Sequence, residues 1–552
     1  FVDGGDGNDT LYGGVGNDIL DGGSGVNSLL GGDGNDTYYI RNKTDYIDDS
    51  GGTDTAYVSA NFVKIPSTIE KVIYTNGALA LPYWIDALLP DLAAGLNYAN
   101  LLGNSNIFNY AFPKLLPTYD ISTDDANGFT PFSSTQITNT KAALSYISSV
   151  LNLKFQETTT TDLPNTFTFA SNKQTNSGGY AQYPSTSLSG SDVFLNIDQS
   201  NTTLAAGTYG SLVLMHEIGH ALGLKHPFSH QQAGEGGIAD APYLSGSEES
   251  TTWTVMSYES SATQYLLSFS PLDIAALQYI YGPSSTSRTG DDTYKISEFT
   301  SNFIWDGEGI DNISAVSCNQ GCTIYLTPGY WGFIGSSKAT SITSAGQITV
   351  NFGTTIENLI GSSYDDKLYG NEVANVINGG AGNDLIEGWG GNDTIFGGGG
   401  NDVIDCGSGE SDTCVFTQSI SNYIISDLSG SYTVSATIGN EGTDTIVGAE
   451  YFQFAGQTYL ASNFIDISAP IVSTFIPADA ASGVAIDSNI VLTFSEAVQR
   501  GTGTIYLRSG SATGTVVESY AAASSGNISI SVSNLTINPT ANLSTNTHYY
   551  VT

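Results

Sequence analysis

Residues 216–226 read HEIGHALGLKH, and this stretch decides how the middle of the chain folds. His216 and His220 are four residues apart, so a helix places both imidazoles on one face. Gly223 can adopt a left-handed conformation that ends the helix and brings His226 round as a third ligand. Three neutral imidazoles suit Zn²⁺ and leave a fourth position open for water, which is the arrangement of a catalytic zinc site.

The spacing H-E-x-x-H-x-x-G-x-x-H is the metzincin signature, and the chain resembles this class of zinc peptidases. Glu217 follows the first histidine, where it can reach a water on a metal held by the histidines. A bare H-E-x-x-H also occurs by chance on core helices, so a purely structural helix is the alternative. The chain has five histidines and three of them stand at the ligand positions, which argues for a metal site.

A second motif, Thr254-Val255-Met256-Ser257-Tyr258, resembles the Met-turn of the serralysins, the secreted bacterial metzincins. Thr254 stands where that family usually has Ser. The resemblance implies that Met256 forms a hydrophobic floor beneath the metal and that the Tyr258 hydroxyl binds zinc or the reacting oxyanion. Ordinary core filling is the alternative for Met256, although the chain has only two methionines.

Further similarity to the serralysins brackets this region. Residues 271–282, PLDIAALQYIYG, predict the helix that closes the catalytic domain. Within it, Asp273 either orients a ligand histidine or is a first-turn acid favoured by the helix dipole, and we prefer the second interpretation. Residues 178–184, GGYAQYP, predict either an edge strand that pairs with an extended peptide or a surface loop.

The resemblance implies a zinc endopeptidase. Zinc lowers the pKa of bound water to about 7 and polarises the scissile carbonyl. Glu217 is expected to take the proton of the water and deliver it to the leaving amine. Tyr258 is expected to donate a hydrogen bond to the developing oxyanion.

A repeat of nine residues, G-G-x-G-x-D-x-U-x, occurs in two arrays, at residues 4–39 and 361–405. This pattern is typical of calcium-loaded parallel β-rolls. The glycines allow tight turns, and the carboxylates and turn carbonyls offer hard oxygen ligands to Ca²⁺. The predicted calcium ligands are Asp9, Asp18, Asp36, Asp366, Asp384, Asp393 and Asp402. Asn27 and Asn375 replace aspartate, so their turns are expected to bind calcium weakly or only to pack.

A Gly/Asp-rich tract can also be a flexible linker, but the nine-residue phase argues against this alternative. The arrays closely resemble those of RTX (repeat-in-toxin) proteins. Cys406 stands where the next repeat needs its first glycine, so the second array is expected to end there. By resemblance to the serralysin C-terminal half, Asp306 and Asp311 form one more calcium site with the carbonyls of Arg288 and Gly290.

The composition favours calcium over nucleic acid as a partner. The 552 residues include 54 acidic and 15 basic side chains, and the net charge is −39. Such a chain repels nucleic acid and anionic membranes, whereas bound calcium offsets charges that otherwise repel one another. Plain solubility is the alternative explanation. No run of about 18 apolar residues predicts a transmembrane helix.

The four cysteines form two close pairs, Cys318/Cys322 and Cys406/Cys414. An extracellular protein permits disulfides, and two local disulfides are expected. Half of a zinc site is the alternative for the first pair, but no matching pair or histidine accompanies it.

The length indicates several domains. The last segment contains alternating strand patterns and resembles the bacterial Ig-like modules of surface proteins and adhesins. The predicted fold is multidomain: an N-terminal RTX β-roll with flanking strands, an α+β metzincin catalytic domain, a serralysin-like region with a second β-roll, and an incomplete β-sandwich Ig-like domain. The predicted boundaries are 1–79, 80–285, 286–465 and 466–552.

Two functions fit these features. The first is a secreted, calcium-stabilised zinc endopeptidase that acts on proteins or peptides and neither binds nucleic acid nor inserts into membranes. The second is a structural fragment of a large RTX adhesin, surface-layer or filament protein with a vestigial or maturation-only protease domain. The complete zinc motif favours the first function.

The cellular location follows from the same resemblance. The chain lacks an initiator Met and a signal peptide, so we expect a piece of a longer polypeptide whose C-terminal secretion signal lies beyond it. Both functions place the protein outside the cell or on the bacterial cell surface. Other parts of a larger surface assembly are expected partners.

Overall fold

The computed structural model describes residues 1–91, 98, 101–102, 105–120, 123–228, 241–260, 265–427, 430–464 and 470–552. The chain is multidomain and mostly β, with a few helices. It divides into two compact units, Phe1–Phe464 and Ile465–Thr552. The first residues of the predicted Ig-like domain, 466–469, lie outside the described residues.

The N-terminal array forms two parallel sheets, because each repeat contributes one short strand and successive repeats alternate between the sheets. Strands of one sheet pair 18 residues apart, so Leu11 lies opposite Leu29 and Leu20 lies opposite Tyr38. These side chains are buried in one apolar core. The first sheet comprises Val2–Asp3, Ile19–Asp21, Thr37–Ile40, Thr55–Val58 and Lys71–Tyr74, and the second comprises Thr10–Val15, Ser28–Asp33 and Tyr46–Asp48.

The middle of the chain carries the longer helices and one mixed sheet. Gly179–Ala181 runs antiparallel to Val193–Asn196 at one edge of this sheet, so the segment 178–184 contributes an edge strand. The remaining strands are Lys154–Glu157, Ile107–Ala111, Thr166–Asn172 and Thr130–Pro131. The described helices are α1 (Tyr83–Asp86), α2 (Thr123–Ala126), α3 (Ser134–Val150), α4 (Tyr209–Ala221) and α5 (Pro271–Tyr281).

Helix α4 begins and ends where its sequence predicts. The Thr208 side chain accepts a hydrogen bond from the N–H of Ser211 at the start of the helix. Gly223 has a φ of 109°, and the N–H of Leu224 donates to the carbonyl of Gly219 at 2.9 Å. The left-handed glycine therefore ends the helix and turns the chain towards His226.

The second array repeats the same alternation between two larger sheets. Ile377 lies opposite Ile395, and Ile386 lies opposite Ile404. The expectation that this array ends at Cys406 is wrong, because Thr413 pairs with Thr394 in a further turn.

Cys406 stands at the first-glycine position of this turn, and the aspartate of the turn, Asp412, comes six residues later, whereas it comes five residues later in a regular repeat. A methyl group added at Gly409 would lie 2.6 Å from Oδ1 of Asp412, so this carboxylate faces Gly409.

Strands of the second array and its flanks are assigned to two sheets. One sheet comprises Thr293–Lys295, Asn312–Ser314, Asn358–Ile360, Val376–Ala381, Thr394–Gly399, Thr413–Phe416, Tyr451–Phe454 and Gln457–Leu460. The other comprises Asn302–Ile304, Gln347–Val350, Gly332–Ile334, Cys322–Tyr325, Lys367–Asn371, Leu385–Trp389, Val403–Asp405, Thr443–Val447, Ser431–Ala436 and Tyr423–Asp427. Short 3₁₀ helices span Gln199–Asn201, Gly246–Glu248, Ile420–Asn422 and Ala461–Phe464.

The second unit consists of two antiparallel sheets around a small core that includes Leu507 and Ile537. Its strands are Val472–Ile476, Ile490–Phe494, Asn534–Ile537 and Ile528–Ser531 in one sheet, and Thr515–Ala521, Thr504–Ser509 and Tyr549–Val551 in the other.

The structure holds all four cysteines as buried free thiols, so it lacks the two expected disulfides. Sγ of Cys406 lies 3.3 Å from Sγ of Cys414, beyond the bonding distance of about 2.05 Å. The thiol of Cys322 donates instead to Oδ1 of Asp366 at 3.1 Å. In the described part of the chain, no helix has both the length and the apolar character needed to span a bilayer.

Candidate metal centres

The three histidines predicted to bind zinc converge beside α4. Nε2 of His226 lies 3.0 Å from Nε2 of His216 and 3.1 Å from Nε2 of His220. Nδ1 of His216 is 2.8 Å from the carbonyl of Val255, and Nδ1 of His220 is 2.7 Å from the carbonyl of Leu224. A carbonyl only accepts hydrogen bonds, so both Nδ1 atoms carry the proton and both Nε2 atoms present a lone pair.

The three Nε2 atoms fit a tetrahedral zinc ion. Ligand atoms at about 2.0–2.1 Å around such an ion stand about 3.3 Å apart, close to the separations here. Burial, followed by the neighbouring imidazoles of His226 and His216, lowers the pKa of His220 well below its ordinary value. The ring is therefore neutral, as a metal ligand must be.

Glu217 lies beside the edge strand Gly179–Ala181. It is 5% exposed, and a methyl group added at Gly179 would lie 2.9 Å from its Oε1. A methyl group at Gly178 would lie 3.1 Å from a methyl carbon of Val213 in α4. The two glycines thus allow the strand to approach the helix closely, and the carboxylate faces the strand next to His216, the first predicted zinc ligand.

The Met-turn packs against α4 at the histidines. Met256 is fully buried, and a methyl group added at Gly219 would lie 2.5 Å from its sulfur. The hydroxyl of Tyr258 lies 3.1 Å from Nε2 of His226, and Tyr258 is 39% exposed. Met256 therefore packs against α4 beside Gly219, and Tyr258 contacts His226.

Asp273 supports the Met-turn from the first turn of α5. Its Oδ1 accepts a hydrogen bond from the hydroxyl of Thr254 at 2.6 Å, and its Oδ2 accepts from the N–H of Val255 at 2.8 Å and of Ser270 at 2.9 Å. Because the Val255 carbonyl faces Nδ1 of His216, Asp273 contacts the residue that orients this histidine and not the ring itself. Complete burial raises the pKa of Asp273 to about 7 although these three donors lower it.

Many array aspartates form ladders in which one carboxylate oxygen accepts a hydrogen bond from the backbone N–H of the residue 18 positions earlier. Oδ1 of Asp36 accepts from the N–H of Asp18 at 2.8 Å, and Oδ1 of Asp402 accepts from the N–H of Asp384 at 2.9 Å. Within the described ranges, the other oxygen is buried and meets no hydrogen-bond donor at most ladder positions. These positions are Asp9, Asp36, Asp54, Asp384, Asp393, Asp402 and Asp412.

These open oxygens fit a hard cation. A methyl group added at Gly4 would lie 2.7 Å from Oδ2 of Asp9, and one at Gly13 would lie 3.1 Å from Oδ2 of Asp18. The first glycine of a repeat therefore leaves room for the carboxylate of the same repeat. Carboxylate oxygens at glycine-rich turns, close to backbone carbonyls, are the ligands that Ca²⁺ prefers.

The raised pKa values of the ladder aspartates also indicate a cation site. Burial, with added repulsion from Asp402 and Asp366, raises the pKa of Asp384 to about 7 despite a backbone hydrogen bond that lowers it. Burial likewise raises the pKa of Asp393 to about 7 and that of Asp444 to about 8. A divalent cation between these carboxylates would reverse the effect, because an opposite charge favours the ionised form.

Three predicted repeat positions differ from this pattern. The carboxylate of Asp366 accepts hydrogen bonds from the N–H of Ser362 at 2.6 Å and of Cys322 at 2.7 Å, so protein donors already satisfy it. The amide of Asn27 donates to the carbonyl of Gly25 at 3.3 Å.

The amide of Asn375 donates to the carbonyl of Glu357 at 3.1 Å. The two asparagine turns are therefore closed by hydrogen bonds within the protein.

Asp306 and Asp311 are brought together with Asp292, and one carboxylate oxygen of each lies within 4.8 Å of the others. A methyl group added at Gly309 would collide with the carbonyl of Gly290 and would lie 3.2 Å from Oδ1 of Asp311. The Gly290 carbonyl thus lies at this cluster, as the resemblance implied.

The carbonyl of Arg288 has a different role. It accepts hydrogen bonds from the N–H of Gly307 and of Glu308, each at 3.2 Å. The structure therefore gives this carbonyl two protein donors.

Several acids of the ladders were missed by sequence reasoning. Asp54 and Asp45 hold the N–H groups of Asp36 and Asn27, each 18 residues earlier, so the repeat offset could have found both. Asp412 and Asp444 hold residues 19 and 42 positions earlier. Insertions in the second array change the 18-residue offset, so the repeat spacing does not predict these two partners.

Comparison with known families matches three parts of the chain. The metallo-peptidase family M12 matches residues 116–270. The RTX calcium-binding nonapeptide repeat matches residues 3–38, 353–372 and 369–404, and a bacterial Ig-like domain matches residues 466–552. The first two families imply zinc and calcium as the metals of this chain, so the predicted cofactors are confirmed.

Curated proteins similar to the chain are bacterial peptidases. Serralysin B of Dickeya chrysanthemi is 32% identical over 301 residues, which are 49% of this chain and 60% of that protein. Metallopeptidase AprA of Pseudomonas marginalis is 30% identical over 329 residues, which are 53% of this chain and 67% of that protein. The chain spans about 60% of the length of the first relatives that it matches.

Proposed function

The chain belongs to the serralysin family of metallopeptidases, and we propose that it is a secreted, calcium-stabilised zinc endopeptidase. The observation that carries this proposal is the convergence of three imidazole nitrogens, with Nε2 of His226 at 3.0 Å and 3.1 Å from those of His216 and His220 and with the Glu217 carboxylate adjacent. We propose His216, His220 and His226 as the zinc ligands and residues 80–285 as the metzincin catalytic domain.

The chemistry needs a water nucleophile and a proton carrier. Zinc, when bound, supplies a Lewis acid that polarises the scissile carbonyl and acidifies water. Glu217 accepts the proton of the attacking water and returns it to the leaving amine. The Tyr258 hydroxyl, at 3.1 Å from Nε2 of His226, donates to the oxyanion as charge develops there.

A peptide substrate would bind along the edge strand Gly179–Ala181. An edge strand has unpaired backbone groups with which an extended peptide can pair. Because Glu217 lies against Gly179, a peptide on this edge would run past the proton carrier. Protein or peptide substrates are therefore the proposed partners.

We propose that the two arrays are calcium-loaded parallel β-rolls, within regions spanning residues 1–79 and 286–465. The open buried oxygens of the ladder aspartates support calcium at the turns. Asp306 and Asp311, with the Gly290 carbonyl, are proposed to hold a further ion. The carbonyl of Arg288 accepts hydrogen bonds from the N–H groups of Gly307 and Glu308. It would bind the ion only after these hydrogen bonds break.

The family and its RTX repeats indicate secretion. The Ig-like domain at 466–552 supports the finer proposal that the peptidase is mounted at the bacterial surface within a larger assembly. This architecture fits the alternative of an adhesin or surface-layer component, but Glu217, Met256 and Tyr258 are all retained at the histidine cluster, which favours an active peptidase.

The test measures zinc content and cleavage of an unfolded protein substrate by the full chain, purified without chelator. We expect one zinc per chain and hydrolysis. Glu217→Ala should keep the zinc but lower turnover by at least about 10²-fold, the scale of lost general-base catalysis. Glu157→Ala, at an exposed ion pair with Lys141, is the matched control.

Two results would contradict the proposal. Absence of zinc would remove the enzyme function, and full activity of Glu217→Ala would remove the mechanism.

A further inference from the structure

Phe228 contacts the histidine cluster from a position outside the predicted motifs. It follows His226 by two residues and is 8% exposed. Its ring lies parallel to the His226 imidazole, with the ring centroids 5.0 Å apart and an angle of 9° between the planes. The same ring lies 5.0 Å from the Tyr258 ring, at an angle of 49°. One apolar side chain therefore contacts both a proposed zinc ligand and the proposed oxyanion donor.

The local sequence places Phe228 on a stiff piece of backbone. Pro227 has a fixed φ, and its ring disfavours a helical conformation for His226. The carbonyl of Pro227 accepts a hydrogen bond from the N–H of Leu244 at 2.8 Å, which ties this backbone to the segment that leads to the Met-turn. The position of Phe228 is therefore set by the chain as well as by its ring contacts.

The His226 imidazole is oriented in part by a different kind of contact from those at the other two histidines. Backbone carbonyls face Nδ1 of His216 and Nδ1 of His220, whereas His226 has the parallel Phe228 ring beside it. A parallel ring at this distance limits rotation of the imidazole plane, and that plane sets the direction of the Nε2 lone pair. Neighbours that fix the ring of a metal ligand tune its affinity for the metal.

Tyr258 is restrained by the same ring. The rings of Phe228, His226 and Tyr258 form a triangle with centroid separations of 5.0, 5.0 and 4.9 Å. Tyr258 is 39% exposed, so solvent borders the rest of its ring. The Phe228 ring thus limits the positions that the Tyr258 hydroxyl can reach.

Ordinary core packing is the alternative role for a buried phenylalanine. Among the described residues, however, Phe228 belongs to none of the four apolar core clusters. Aromatic pairs with centroids 4.5–7 Å apart interact more strongly than their buried area alone accounts for. The ring itself, rather than its apolar volume, is therefore the feature to test.

We propose that Phe228 is a positioning residue of the zinc centre. Its ring holds the His226 imidazole in the orientation that metal binding requires and holds the Tyr258 hydroxyl where the oxyanion forms. This inference rests on the proposed function and adds to it a residue that none of the sequence motifs contains. Because Phe228 acts through two neighbours, its removal affects both metal affinity and turnover.

The first test measures the zinc dissociation constant of the full chain with a zinc-selective chelator, in saturating calcium. Phe228→Leu keeps an apolar side chain and removes the ring, so zinc affinity should fall about tenfold, the lower end of the range for groups that orient metal ligands. Phe228→Tyr keeps the ring and should keep the parent affinity. Phe155→Leu, at a half-buried phenylalanine stacked on Phe108, is the matched control.

Two results of this test would overturn the proposal. The first is equal zinc affinity in Phe228→Leu and Phe155→Leu. The second is an equal loss in Phe228→Leu and Phe228→Tyr, because the ring would then not be the cause. If thermal unfolding shows that Phe228→Leu loses more stability than Phe155→Leu, Phe228→Met takes its place, since methionine fills irregular space without a ring.

The second test isolates the contact with Tyr258 by measuring peptide hydrolysis at saturating zinc. Phe228→Leu should lower kcat and leave KM unchanged, because the lost contact acts on the oxyanion donor and not on the bound peptide. In a Tyr258→Phe background the same change should lower kcat less, since the hydroxyl that it positions is already absent. Full additivity of the two changes would overturn the role of Phe228 towards Tyr258.

The metal measurement does not depend on hydrolysis. A protein that binds zinc without cleaving peptides would refute the proposed peptidase, and a tenfold loss of zinc affinity in Phe228→Leu would still support the role of Phe228. An active peptidase in which Phe228→Leu and Phe155→Leu bind zinc equally would do the opposite.

Discussion

Two of the three histidines proposed to bind zinc are oriented by backbone carbonyls, whereas the aspartates proposed to bind calcium in the arrays face one another. His216 and His220 have their rings oriented by the carbonyls of Val255 and Leu224, so the centre is organised by the fold itself. The array carboxylates hold backbone N–H groups with one oxygen and crowd together with the other. The histidine cluster should therefore keep its shape without metal, whereas the arrays should need metal to fold.

The largest expected effect separates these two regions directly. Removing calcium with a chelator at pH 8 should unfold residues 4–39 and 361–405, because binding and folding of such sites are one event. Helix α4 should remain protected, since its packing in the central core does not use the array oxygens. Hydrogen exchange with and without calcium measures both. Equal protection of both arrays in the two conditions would refute the β-roll proposal.

The pH dependence of the calcium-free protein gives the next effect. The pKa values of Asp384, Asp393 and Asp444 are raised to about 7, 7 and 8. Between about pH 4 and 8 the folded array thus binds more protons than the unfolded chain, so its stability falls as pH rises. The thermal midpoint of calcium-free protein should drop from pH 5 to 8. A flat or rising midpoint would show that the ladder carboxylates do not repel one another.

Calcium should reverse this trend. Protons compete with the ion for the carboxylates, so calcium affinity rises as pH rises through 7 to 8. The same scan with saturating calcium provides the control.

The Tyr258→Phe variant tests the exposed side of the zinc centre. In the proposed mechanism the hydroxyl is one donor to the oxyanion, and zinc would still polarise the carbonyl without it. We expect turnover to fall about tenfold, below the 10²–10³-fold of a full oxyanion donor, with zinc content and thermal midpoint unchanged. A loss of zinc would mean that the Tyr258 hydroxyl helps to hold the metal. The histidine cluster would then not be positioned by the fold alone, in contrast to what we expect.

The smallest expected effect concerns Thr254, the departure from the serralysin Met-turn. Thr254→Ser keeps the hydroxyl that donates to Asp273 at 2.6 Å and removes one buried methyl group. The free energy of unfolding should fall by about 0.8 kcal/mol, with activity unchanged. Thr254→Val, which keeps the shape but leaves Asp273 without that donor, should cost about 1–3 kcal/mol. Equal losses in the two variants would show that the hydrogen bond does not support the turn.

Short-range patterns in the sequence predicted both metal regions. The four-residue spacing of His216 and His220 and the left-handed Gly223 follow from helix geometry, and the nine-residue phase follows from one strand per turn. The same logic failed at Cys406, because an inserted residue moves Asp412 and the turn still forms. It also failed for the disulfides, since the thiol of Cys322 is oriented towards Asp366 by the neighbouring turn.

The sequence by itself determined the ligand types, their spacing and the family, because helix and repeat periods place those residues within a few turns of one another. Tertiary structure alone decided which distant groups complete the sites. Asp273 reaches the Met-turn across 18 residues, and Asp444 reaches Asp402 across 42. No local period encodes these contacts, because they depend on how separate elements pack, and packing brings together residues whose separation along the chain has no fixed value.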